Sequence, residues 1–85
     1  MKMVGVIGLG QMGRVIAWAM QNLGHSLVLV DCDKKARSLC KGLLDEHRPD
    51  SGHIFADDKE ALLGCSLVIS ALPYYSNLQV ARFCI

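Results

Sequence analysis

The chain has 85 residues, a net charge of +1, 52% hydrophobic residues and 20% charged ones. That is room for one domain, it is too apolar for a disordered chain, and its scattered Lys and Arg form no basic stripe for nucleic acid or an anionic membrane. No uncharged run is long enough to cross a bilayer, and no basic leader precedes a long apolar core, so a cytoplasmic location is expected by default.

Met3–Ile7 is a short run rich in Val, as expected of a central parallel strand buried on both faces. Gly8, Gly10 and Gly13 come next in a G-x-G-x-x-G arrangement. A helix is then expected, because Met12, Val15, Ile16, Ala19, Met20 and Leu23 fall on one helical face and Gly24 supplies a stop. Trp18 and Gln21 lie off that face. Ser26–Val30 is the second strand, and Asp33 is a plausible N-cap for a helix over about Lys34–Leu44. The apolar face of this helix is Ala36, Leu39, Cys40, Leu43 and Leu44. Asp45–Gly52 reads as a loop and His53–Ala56 as a short third strand. Asp57 and Glu60 form a D-x-x-E capping pattern before a short helix ended by Gly64. Leu67–Leu72 is the fourth strand, stopped by Pro73, with a last helix from Ser76 or Asn77.

Strands alternating with helices imply parallel pairing through right-handed crossovers. The expected fold is α/β, a Rossmann-type doubly wound sheet of about four strands in the order 3-2-1-4, forming a single domain over 1–85. Strands five and six of such a sheet, and a substrate domain, are expected to be missing.

The glycine turn carries the chemistry. Gly8 allows the sharp exit from the first strand, Gly10 lets backbone approach a pyrophosphate, and Gly13 lets the helix pack closely on the strand. Leu9, Gln11 and Met12 complete the turn, whose helix N-terminus faces the phosphates. Asp31, 21 residues after Gly10, stands where an acid accepts the adenosine ribose hydroxyls. Cys32 is expected under or beside the adenine. Ser70–Tyr75 converges on the same end of the sheet, and Ala71, Leu72 and Pro73 are expected to line the path toward a nicotinamide.

A carboxylate at Asp31 accepts two hydroxyls but repels a 2′-phosphate, which favours NAD over NADP. Lys34, Lys35 and Arg37 pull the other way, since a basic residue beyond the second strand can hold that phosphate. No catalytic residue can be named. His25, His47 and His53 pair with no nucleophile or carboxylate at a telling interval, and each reads as a surface histidine. Cys40, Cys65 and Cys84 read as small buried hydrophobes, and no metal site is expected.

Two stretches resemble known families. Gly-Leu-Gly-Gln-Met-Gly with the later Gly-His is similar to the start of 6-phosphogluconate and 3-hydroxyisobutyrate dehydrogenases. Leu-Val-Ile-Ser-Ala-Leu-Pro, with the rest of the stretch 67–85, looks more like the saccharopine and lysine dehydrogenases. The second likeness is the more specific. It implies the cofactor half of an oxidoreductase acting on an amino-acid C–N bond, inactive alone, with the glycines as phosphate turn and Asp31 as ribose acid. The first likeness implies the N-terminal domain of a β-hydroxyacid dehydrogenase. A third reading is a sensing or assembly module without chemistry, forming a homodimer through the open edge of the fourth strand.

Overall fold

The computed structural model describes residues 3–49 and 51–72. Four parallel strands, β1 (Met3–Ile7), β2 (Ser26–Val30), β3 (Ile54–Ala56) and β4 (Leu67–Ser70), form one sheet in the order β3-β2-β1-β4. Helix α1 (Gln11–Asn22) connects β1 to β2, α2 (Lys34–His47) connects β2 to β3, and a 3₁₀ turn over Lys59–Leu62 leads toward β4. The expected order and α/β class are what the structure shows. The outer edge of β4, through which self-pairing is expected, faces no strand among the described residues.

Alternation along the central strands divides the core in two. Val4, Val6, Leu27 and Leu29 face α1 and α2, where they meet Ala17, Ala36, Cys40 and Leu44. Ile7, Val28 and Val30 face the other way and pack with Leu62, with Val68 and Leu72 beside them. A buried strand pair must be apolar on both faces, which is why β1 and β2 read as unbroken apolar runs.

Helix α1 is rotated from its expected setting. Gly13, Ala17 and Gln21 are the residues it buries, while Met12, Val15 and Leu23 are exposed. The cause lies at Gly13, where a Cβ would fall into the carbonyl of Gly8, so the helix rests on the first strand through its smallest residue. Ala17 and Gln21, four and eight residues on, come onto the same face. Of the expected apolar face, Ile16 and Met20 still pack against the core at its margin, while the closest contact is made by the small residues. The helix closes where expected, with Gly24 N–H donating to Gln21 O and His25 N–H to Met20 O.

Helix α2 begins as expected, with the Asp33 side chain accepting from Lys35 N–H, but it runs on to His47. Its added turn holds a Lys41–Asp45 ion pair at 2.8 Å, and the His47 ring meets Trp18 of α1 edge-on with centroids 5.8 Å apart. Leu39 is exposed, unlike the other members of its expected face. The loop therefore starts after His47.

His53 does not join β3. Its Nδ1 accepts from Leu27 N–H at 3.1 Å, so the ring takes the place of a strand carbonyl one step before the Val28–Ile54 pairing. Its Nε2 then donates to Gln21 Oε1 at 2.8 Å, and Gln21 Nε2 donates to the Leu44 carbonyl at 3.2 Å. His53 is thus not the surface side chain that its sequence context implies, and Gln21, off the apolar stripe, is buried. Burial lowers the His53 pKa below its usual 6.5; Asp45 nearby opposes this and Arg48 adds to it.

Two smaller corrections concern the chain after β3. The cap before the 3₁₀ turn is Asp58, accepting from Glu60 N–H, because its extended backbone turns the carboxylate onto that amide. The neighbouring Asp57 satisfies the spacing only. β4 ends at Ser70, so Ala71 and Leu72 have left the strand. Pro73, Tyr74, Tyr75, the last helix and Cys84 lie outside the described residues. Cys40 is buried and Cys65 only half-buried. Burial raises both thiols, Cys40 to about 11 despite the counteracting charge of Arg14.

Candidate functional site

Three hydrogen bonds prolong the strand ladders at their carboxyl ends and fix what stands there. Gly8 N–H donates to Val30 O at 2.9 Å, Asp31 N–H to Ala56 O at 3.1 Å, and Ala71 N–H to Ile7 O at 2.9 Å. The glycine turn, Asp31 and the Ala71–Leu72 segment are thereby brought together, as expected for a crevice at the switch point of a doubly wound sheet.

The three glycines do different work. Gly8 has φ +94°, a left-handed backbone, and a Cβ there would sit 3.0 Å from Leu72 Cδ2 and 3.2 Å from the Ala71 carbonyl carbon. Gly13 is the point of helix–strand contact. Gly10 differs from both: no atom of the described residues lies within 4 Å of where its Cβ would be, and its φ of −69° is open to any residue. No packing reason among the described residues, and no backbone reason, requires glycine at this position. Its bareness leaves a cradle on the turn.

Gly10 is also the N-cap of α1, with no side-chain cap and no acidic residue in the first turn. The first bond of the helix is Arg14 N–H to Gly10 O at 3.0 Å, so the amides of Gln11, Met12 and Gly13 precede the ladder. An uncapped row of amides at the positive end of a helix is suited to an anion. Gln11 and Met12 are exposed on this rim, and Leu9 is fully buried beneath it. Arg14, which spacing alone does not single out, folds back so that its Nη1 donates to Leu9 O at 3.1 Å. This sets a positive charge beside the turn.

Asp31 is held on every side. Its Oδ2 accepts from Leu9 N–H and its Oδ1 from Asp33 N–H, both at 2.8 Å. Its carbonyl accepts from Arg37 Nη1 at 2.6 Å. A carboxylate has about four lone-pair sites, so each oxygen keeps one for an incoming hydroxyl. Cys32, next to it, is exposed. Lys34 and Lys35 are exposed at the start of α2. Residues that fit a dinucleotide are therefore present: an amide row with a bare glycine for two phosphates, and a fixed carboxylate for a ribose. Among the described residues no group of three or more His, Cys, Asp or Glu could hold a metal ion, and no helix is long and apolar enough to cross a membrane.

Residues 3–83 match the family model for the NAD binding domain of 6-phosphogluconate dehydrogenase. The chain belongs to this family. Among solved structures the NAD-binding domain is similar to a 3-hydroxyacyl-CoA dehydrogenase from Archaeoglobus fulgidus, at 30% identity and a TM-score of 0.84, over 98% of this chain and 29% of that one. It is also similar to a protein assigned as an F420-dependent NADP reductase from an Arthrobacter species, at 26% identity and a TM-score of 0.71, over 96% of this chain and 38% of that one. Comparison with curated proteins gives no match. The glycine-turn likeness is thus the one supported. Neither the family model nor these two structures is of the saccharopine or lysine dehydrogenase type. Ser70 ends β4, and Ala71 and Leu72 after it back onto Gly8, so packing on the glycine turn accounts for these two without an amino-acid substrate.

Proposed function

We propose that this chain holds NAD(H) for an oxidoreductase of the β-hydroxyacid type, one that moves a hydride between the nicotinamide and a hydroxyl-bearing carbon of an acid or acyl substrate. When bound, the nicotinamide supplies the hydride acceptor or donor. The chain's own part is to bind and orient. Gly8, Leu9, Gly10, Gln11, Met12 and Gly13 form the phosphate turn, Asp31 takes the ribose hydroxyls, Cys32 borders the adenine, and Ala71 and Leu72 lie toward the nicotinamide. Arg14 adds charge at the phosphates.

The observation that carries the reading is the doubly anchored carboxylate of Asp31, which keeps one acceptor site free on each oxygen. That arrangement suits a ribose diol and opposes a 2′-phosphate, which brings close to two negative charges. NAD is therefore the preferred cofactor, although the names of the similar structures include an NADP reductase. This chain spans only 29% and 38% of the lengths of the two similar structures.

Calorimetric titration of the chain with NADH and NADPH tests this. NADH is expected to bind tighter by about tenfold, which corresponds to ~1.4 kcal/mol. Tighter NADPH binding overturns the choice of cofactor, and a folded chain that binds neither overturns the reading as a whole.

A further inference from the structure

Asp31 has four polar groups and the structure gives each a partner on a different segment. Its N–H goes to Ala56 at the end of β3, Oδ2 to Leu9 in the glycine turn, Oδ1 to Asp33 in the turn before α2, and its carbonyl to Arg37 in α2. Three of these partners are backbone atoms, which every sequence supplies. Only the fourth is a side chain. At 2.6 Å it is also the shortest of the four, as expected when a guanidinium is the donor.

The carbonyl that Arg37 holds belongs to the Asp31–Cys32 peptide. Peptides are planar, so a rotation of that unit swings carbonyl and Cys32 N–H together and displaces the next amide, Asp33 N–H. Asp33 N–H is the donor that orients Oδ1. Holding the carbonyl therefore holds the carboxylate. We infer that Arg37 is a positioning residue for the cofactor, acting through Asp31 rather than as a ligand of a 2′-phosphate. This rests on the reading of Asp31 as the ribose acid, and it separates Arg37 from Lys34 and Lys35, whose exposed side chains face solvent.

The experiment is a double-mutant cycle on the whole chain, with R37M, D31A and D31A/R37M titrated with NADH and NADPH. R37M keeps the apolar stem and removes the donor. It is expected to weaken NADH about three- to tenfold, the scale of one hydrogen bond to a charged group, and to weaken NADPH less, because Asp31 opposes its 2′-phosphate. In the D31A background the same change is expected to cost nothing further, because the group it positions is gone. R37K, which keeps a charge without the planar fork, falls between wild type and R37M and carries the comparison if R37M does not fold. Amide exchange without cofactor gives an independent readout: Leu9 and Asp33 N–H exchange faster in R37M. Additive losses, a loss confined to NADPH, or unchanged exchange at those amides overturns the proposal alone. A folded wild-type chain that binds neither dinucleotide overturns it together with the reading it rests on.

Discussion

Gly10 and Gly13 are the same residue type three positions apart, and the structure gives them opposite reasons to be glycine. At Gly13 a side chain collides with the Gly8 carbonyl, whereas at Gly10 it meets none of the described residues. Gly13→Ala is thus expected to lower stability by about 2–3 kcal/mol, an overpacking cost that chemical denaturation measures. Gly10→Ala is expected to leave stability within about 0.5 kcal/mol, as at an unconstrained surface position, while weakening dinucleotide binding at least about tenfold. A Gly10→Ala chain that binds as well as wild type would mean that the cradle is not used. Gly8 and Gly13 were legible in the sequence because each answers a local steric demand. Arg14 and Arg37 were not legible as site residues, since a guanidinium that folds onto a carbonyl five or six residues back leaves no mark on spacing or periodicity.

Elements were legible where apolar runs are unbroken, as in β1 and β2, and misread where small or polar residues do the packing. Gln21 lies off the apolar stripe of α1 yet is 1% exposed, because its amide joins Leu44 of α2 to His53. That network ties α1, α2 and the approach to β3 through one neutral imidazole. Its Nδ1 must stay unprotonated to accept from Leu27 N–H. The folded-state pKa of His53 lies below the usual 6.5, so the unfolded chain binds the proton first. The contribution is accordingly complete above pH 6.5 and is lost as pH falls through that value toward the folded one. Thermal melts between about pH 7 and pH 5, the range of histidine titration, are expected to show a falling Tm in wild type and a flatter profile in His53→Gln. Identical slopes in the two chains would show that the network does not carry the proton linkage. Trp18, the one tryptophan, reports the melt from the α1–α2 seam.

The order β3-β2-β1-β4 was legible because alternating strands and helices admit few parallel arrangements once crossovers must be right-handed. The meeting of the three candidate segments came with it, since the ladders end at Gly8, Asp31 and Ala71 together. Which dehydrogenase type the chain resembles was less legible. Ser-Ala-Leu-Pro looks diagnostic of a substrate class, but the family match goes with the glycine turn instead. A motif at a strand exit that backs onto a phosphate turn serves the cofactor half of many enzymes, and cofactor-side residues carry little information about substrate.

The central claim is that one end of the sheet holds a dinucleotide. Amide chemical shifts of the isotope-labelled chain, monitored during titration with NAD, test that most directly. The largest shifts are predicted at Leu9, Gly10, Gln11, Met12, Gly13 and Asp33, with Gly24, His25 and Leu27 at the opposite end nearly unmoved. Saturating NAD that leaves the first group in place, or that moves the second group instead, would contradict the claim.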